Sequence, residues 1–297
     1  MTLALHTNYA CKKTFGNSLF QRSFIFFISF LLLFFFSCKT TNSTYTVSPL
    51  TYDELLPFSP EEIDWQNVGE GIDSFAFSNR TNAISYTIVR INLESPHLEI
   101  VTLKSSNRWQ NSCSVKSFAK KSDALVAINT SPFHIKNYIL PWSKGIAIGL
   151  VISEKKVLVE PNETYSALAF YRDENSGFWS AKIFDRQTDV FQEEKLPCEA
   201  SGGFWTILRD GKIRMFGNSR DCRSAVATSD SGKTLYVFAG KNLTYGECAL
   251  IFERLGCEVA MQFDGGSSSQ LVVRGKNTVY QTIPRRVVAI VGFRLIP

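Results

Sequence analysis

Acidic residues are missing from the first 38 positions, whose only charged side chains are Lys12, Lys13 and Arg22. That absence changes how the formal net charge of +5 is read. Setting those three aside from the 32 Lys and Arg leaves 29 basic against 27 acidic residues, a balance of +2. A near-neutral remainder gives no basis for nucleic-acid binding. Histidine is scarce at three scattered residues, and no Cys-x-x-Cys pair or His/Cys cluster at zinc spacing occurs. No internal repeat is present, and no long linker follows residue 60, which favours one compact domain. With 44% hydrophobic residues among 297, the chain can bury a large core, and general disorder is excluded.

A long apolar run is lacking too. Phe24–Phe36 comprises thirteen residues, apolar except for Ser29, too short for a comfortable bilayer span of about 20 but right for the core of a signal peptide. Ser37-Cys38-Lys39 and the polar run Thr40–Thr46 follow, an order that resembles a bacterial lipoprotein signal with Cys38 as the lipid-modified residue. A plain signal peptide or an uncleaved anchor is the alternative. Each reading places the folded part outside the cytoplasm, in the cell envelope. Residues 1–38 are therefore expected as leader, 39–60, rich in Ser, Thr and Pro, as a flexible tether, and 61–297 as the folded domain. Five cysteines remain, at 113, 198, 222, 248 and 257. An odd number leaves at least one unpaired; Cys248 and Cys257 flank an expected helix and would lie about 13 Å apart, too far for a disulfide, and Cys198 with Cys222 is the first pair to test.

Short apolar runs alternate with turn signals through the rest of the chain. Strands are expected at 84–93, 98–104, 124–129, 145–153, 167–172 and 178–184. Hairpins are expected at 204–215, turning at Arg209-Asp210-Gly211-Lys212, and at 224–239, turning at Ser229–Lys233. Helices are expected near 115–121 and 245–255, the second stopped by Gly256. The class is α+β, a single domain with a mainly antiparallel sheet and a few packed helices. The most informative segment is 258–274. An apolar strand runs into Asp264, then into Gly265-Gly266-Ser267-Ser268, whose small side chains let a ligand approach the backbone closely. A flexible Gly/Ser turn is the plain alternative.

Four segments in order resemble the phosphodiester glycosidase family. Ala127-Ile128-Asn129-Thr130-Ser131-Pro132-Phe133 stands where the family has an Asn-Gly-Gly-Phe-Phe-like segment, matching at Asn129 and Phe133 but lacking both glycines. Arg223-Ser224-Ala225-Val226-Ala227 resembles an Arg-Thr-Ala-x-Gly segment, Phe263–Ser268 resembles Leu-Asp-Gly-Gly-Gly-Ser, and Arg285-Arg286-Val287 resembles a C-terminal Arg-x-Val. The resemblance spans about residues 84–295. It implies hydrolysis of a sugar joined through its anomeric carbon to a phosphodiester. The substrate would be a sugar phosphate in an envelope glycan, a glycolipid or an imported nutrient.

Such a substrate requires cations for the phosphate and a carboxylate near the anomeric centre. Arg223 and Arg285 are the expected cations and Asp264 the expected acid, with Gly265, Gly266, Ser267, Ser268, Gly202 and Gly203 expected to line the substrate. Glu199 is the candidate second carboxylate, an exposed loop acid being its alternative. His134 is a candidate proton donor or phosphate ligand, and Asn129 either orients sugar or water or forms a buried turn. Pro132 fixes φ and removes an amide donor where the family has flexibility, so substrate choice is expected to differ or catalysis to be lost. No cofactor is expected. Ca²⁺ held by Asp264 with backbone and serine oxygens is the one metal the residues allow. A non-catalytic glycan- or phosphate-binding surface lipoprotein is the competing reading, and an adhesion lipoprotein using the aromatic residues a third.

Overall fold

A computed structural model describes residues 48–105, 108–137, 143–214, 217, 219–278 and 285–297. Cys38, Phe24–Phe36 and the first part of the expected tether lie outside the described residues. Among the described residues no helix is long and apolar enough to cross a membrane.

The fold is largely β. The largest sheet has eight strands, ordered β1 (Gln66–Gly69), β2 (Ile72–Asn79), β3 (Ile84–Asn92), β17 (Thr234–Leu243), β16 (Asp221–Ser229), β18 (Val259–Gln262), β14 (Thr206–Arg209) and β15 (Lys212–Ile213). A five-stranded sheet runs β10 (Lys156–Val159), β9 (Val151–Ser153), β13 (Glu199–Gly202), β11 (Ala167–Arg172) and β12 (Trp179–Phe184). A second runs β20 (Lys276–Asn277), β19 (Leu271–Val273), β6 (Val126–Asn129), β21 (Ile290–Leu295) and β4 (Leu98–Thr102). A small sheet joins β5 (Gln110–Asn111), β8 (Lys144–Ala147) and β7 (Phe133–Ile135). Every paired strand is antiparallel to its neighbour, as expected.

Alternation along the central strands divides the interior. Val226, Val237, Ala239, Met261 and Phe263 point from the eight-stranded sheet into a core shared with Ile128, Phe170 and Phe293 of the two five-stranded sheets. Their neighbours Ala225, Ala227, Phe238 and Ala260 point the other way, against Cys248, Ile251 and Phe252 of a helix, α2 (Tyr245–Arg254). This period of two decides which side chains can meet in the site. The other long helix, α1 (Val115–Ser122), packs Val115, Phe118 and Ala119 against the β6/β21 sheet.

Helix α2 starts where Thr244 caps it. Thr244 Oγ1 accepts from the Glu247 amide at 3.1 Å, and Glu247 returns a carboxylate oxygen to the Thr244 amide at 2.9 Å. Glu247 is fully buried and also accepts from the Leu50 amide at 3.0 Å and pairs with Arg220. Within the stretch expected as a tether, residues 52–56 are docked: Leu55 and Leu56 are buried, and Tyr86 Oη donates to the Leu55 carbonyl at 2.6 Å.

Three expectations are corrected. The strand expected at 145–153 is two strands, β8 and β9, because Gly149 turns the chain at φ +91 with the Gln187 amide against it. Glu199, weighed against an exposed loop, opens a buried strand, β13. Cys198 and Cys222 form no disulfide, and neither do Cys113, Cys248 and Cys257. Cys222 belongs to the eight-stranded sheet and Cys198 adjoins β13 of a five-stranded one, with the main core between those layers.

Candidate functional site

The ends of β6, β16 and β18 meet at one place, and Asn129 joins them. Fully buried at the end of β6, it donates Nδ2 to the Asp264 carbonyl at 2.7 Å. Its Oδ1 accepts from Ser224 Oγ of β16 and from the Gln270 amide, both at 2.9 Å. With Oδ1 filled twice and one Nδ2–H given to the Asp264 carbonyl, Asn129 positions the Asp264 loop. The Asp264 amide adds a bond to the Thr130 carbonyl at 2.8 Å.

Asp264 follows β18 on the face that carries Ala260 and Gln262, the α2 side. Burial pushes its carboxyl up from 3.8 to about 6, against the lowering effects of the Ser268 hydroxyl, the Arg285 charge and the Gly265 amide. The glycines after it are required. A Cβ on Gly265 would lie 3.1 Å from the Cys222 carbonyl and 3.7 Å from Arg223 Nη1, and Gly266 adopts φ +57. Gly266–Ser268 then form a short 3₁₀ turn that places Ser268 beneath the carboxylate and leaves Ser267 exposed.

Both arginines reach this loop. Arg223, 5% exposed in β16, donates Nε to the Leu243 carbonyl at 2.9 Å and Nη2 to the Ser219 carbonyl at 2.6 Å, and its guanidinium lies 4.0 Å from the Tyr245 ring centroid. Those contacts fix the plane and leave Nη1 facing Gly265. Arg285 approaches from the other side. Its amide bonds the Ser267 carbonyl, its own carbonyl accepts from Gln270, and its guanidinium sits 4.8 Å from the Phe133 ring centroid. Both guanidinium groups border the Asp264 loop, Arg223 beside Gly265 and Arg285 close enough for its charge to act on the carboxyl, and each lies over an aromatic ring.

Four expected residues are placed elsewhere or differently. His134 is exposed, and alternation along β7 turns it away from Phe133, the ring beneath Arg285. Glu199 lies in a separate depression of about 470 Å³ with Thr102, Lys104, Glu154 and Arg172. There its carboxyl accepts from Thr102 Oγ1 at 2.6 Å and the Glu154 amide at 2.9 Å, and burial raises its pKa. Gly202 and Gly203 are core glycines: a Cβ would strike the Gln187 amide at 2.4 Å in one case and the Gln262 carbonyl at 2.5 Å in the other. The Thr130-Ser131-Pro132 segment is buried, with Ser131 Oγ donating to the Gly202 carbonyl at 3.1 Å, so it supports the loop from below.

Asp221 escaped the sequence reading. It is exposed, its Oδ1 accepts from the Cys222 amide at 2.7 Å, and a Cβ on Gly266 would lie 3.2 Å from its Oδ2. Regular alternation does not point to it, because the pairing register shifts between Asp221 and Arg223. Buried Thr130 Oγ1 and Ser269 Oγ lack partners here, and the amide of fully buried Gln262 meets the Cys248 thiol. Among the described residues no group of three His, Cys, Asp or Glu side chains is arranged to hold a metal ion.

A profile of phosphodiester glycosidases matches residues 122–294, more than half of the chain. The chain belongs to the phosphodiester glycosidase family. Asn129, Arg223, Asp264 and Arg285 all fall inside the matched segment of this family member. Three solved structures share the fold of this phosphodiester glycosidase-family chain at low identity. A hypothetical protein from Synechocystis superposes with a TM-score of 0.61 at 16% identity over 79% of this chain and 64% of its own length. The catalytic domain of zebrafish N-acetylglucosamine-1-phosphodiester alpha-N-acetylglucosaminidase, auto-inhibited by its pro-peptide, gives 0.58 at 16% identity over 77% and 85%. A protein from Burkholderia pseudomallei gives 0.56 at 11% identity over 71% and 74%. The chain thus spans somewhat less than two thirds of the Synechocystis protein. Comparison with curated proteins found no match.

Proposed function

We propose that this protein is an exported, lipid-anchored hydrolase that releases a sugar from a sugar-1-phosphodiester in a glycan, a glycolipid or a nutrient. The observation that carries the reading is the convergence of the Asp264 carboxyl with Arg223 and Arg285 at one end of the large sheet. Family membership and the leader ending at Cys38 support it.

Cleaving the anomeric C–O bond leaves positive charge on the sugar and negative charge on the departing phosphate. With a pKa of about 6, Asp264 is mainly ionised at neutral pH and faces the developing cation, either as an electrostatic partner or as the nucleophile. The guanidinium groups of Arg223 and Arg285 hold the phosphate oxygens, and a phosphodiester leaves without a strong general acid. Water completes the hydrolysis. Asp221, exposed beside Gly266, is the carboxylate placed to deprotonate it.

The test is release of sugar from a panel of sugar-1-phosphodiesters by the purified protein and by Asp264→Asn. Turnover lost in the variant supports the reading. No turnover by the native protein, with binding that survives Asp264→Asn, supports instead the reading of a glycan- or phosphate-binding lipoprotein.

A further inference from the structure

Beyond Arg223 the site continues as a row of aromatic rings. Tyr245, the first residue of α2, stacks under the Arg223 guanidinium at 4.0 Å and meets Trp205 edge-on at 5.8 Å. Trp205 stacks on Phe204 at 5.1 Å and lies 6.2 Å from Tyr165, which also meets Phe204 at 5.2 Å. All four are only partly buried. Of these rings only Tyr245 packs against an apolar cluster of the interior; Tyr165, Phe204 and Trp205 belong to none of the four described. Aromatic area kept out of a core and continuous with a charged site is the ordinary lining of a ligand cleft.

The backbone ties this row to the catalytic loop. The Gln262 amide donates to the Trp205 carbonyl at 3.0 Å and the Phe204 amide to the Gln262 carbonyl at 2.7 Å, two residues before Asp264. The order of groups is therefore Asp264, Gly265, Arg223, Tyr245, Trp205, Tyr165. A phosphate held on Arg223, with its scissile sugar toward Asp264, directs its other substituent over Tyr245 and Trp205.

The ring geometry selects among possible substituents. Tyr165–Trp205 and Trp205–Tyr245 cross at 89° and 78°, and the one stacked pair, Phe204–Trp205, is closed on itself. No slot lies between parallel faces to sandwich a flat base. Neighbouring rings that cross near 90° present faces and edges in turn, which suits a non-planar ring with an apolar C–H face and a polar edge. Resting on the function proposed above, we propose that Tyr245, Trp205 and Tyr165 form an aromatic subsite for a sugar-bearing leaving group, and that Trp205 is its specificity-determining residue.

The test compares two phosphodiesters of the same sugar, one with a methyl and one with a disaccharide leaving group, by kcat/KM. The native protein prefers the disaccharide by about tenfold, the usual effect of one aromatic stack on a ring. Trp205→Ala brings the ratio near one, and Trp205→Phe restores most of it. A native ratio near one, or a ratio unmoved by Trp205→Ala, overturns the proposal while leaving the hydrolase reading intact. If the native protein hydrolyses neither compound, the hydrolase reading falls, and calorimetric titration of both compounds decides the subsite. A disaccharide advantage in affinity that vanishes in Trp205→Ala upholds it, and equal affinities overturn it. Trp205→Leu, which keeps apolar bulk, substitutes if the alanine variant does not fold.

Discussion

Replacing Asp264 by Asn tests whether burial of this carboxyl costs the fold stability in exchange for chemistry. The folded-state value is about 6 against an ordinary 3.8, so the folded protein holds its proton to higher pH than the unfolded chain does. Stability therefore falls as pH rises between those two values. The penalty is absent below about pH 4 and complete above about pH 6. A gap of about two pH units corresponds to about 3 kcal/mol, an upper figure for a side chain that water partly reaches. Asn has the same shape and does not titrate. Urea unfolding of both proteins at pH 4 and pH 7.5 should show native stability declining relative to the variant by about 2–3 kcal/mol across that interval. The Asn variant gives up charge-assisted bonds from Ser268 and Gly265, which shifts both of its values together and leaves the difference between them. Parallel pH profiles for the two proteins would refute the reasoning, because Asp264 would then titrate as an ordinary exposed acid.

Three further outcomes are expected. Asn129→Ala strands the Gln270 amide, the Ser224 hydroxyl and the Asp264 carbonyl, and should lower unfolding stability by about 3 kcal/mol together with kcat, read by denaturation and turnover. Glu199→Gln should keep kcat/KM within about threefold, because its depression is separate from the Asp264 loop, while Asp264→Asn loses most turnover. Adding dithiothreitol should leave the thermal midpoint within about 1 °C, since none of the five described cysteines is in a disulfide; a drop of several degrees would reveal a bridge.

Elements with strong local signals were legible before any coordinates. Both helices lie close to where apolar spacing and capping residues put them, at Val115–Ser122 and Tyr245–Arg254. The 167–172 strand matches at both ends, and the hairpins turn at Asp210-Gly211 and Asp230–Gly232. Strands β1 and β2 went unread because their polar, partly exposed residues show little alternation. β13 went unread because Glu-Ala-Ser-Gly is poor in strand-forming side chains and is held in place by β9 and β11 on its two sides.

The sequence by itself determined the antiparallel strand pattern, the acid-glycine-serine loop and the two arginines, since each rests on residues adjacent in the chain. Only the tertiary structure decided which polar groups share the site. Asn129, Arg223, Asp264 and Arg285 come from distant segments that strand pairing brings together. The same pairing faces Asp221 toward the loop, turns His134 outward and buries Glu199 elsewhere. The physical reason is that a side chain's face is set by strand register, and register is set by partners far away in sequence.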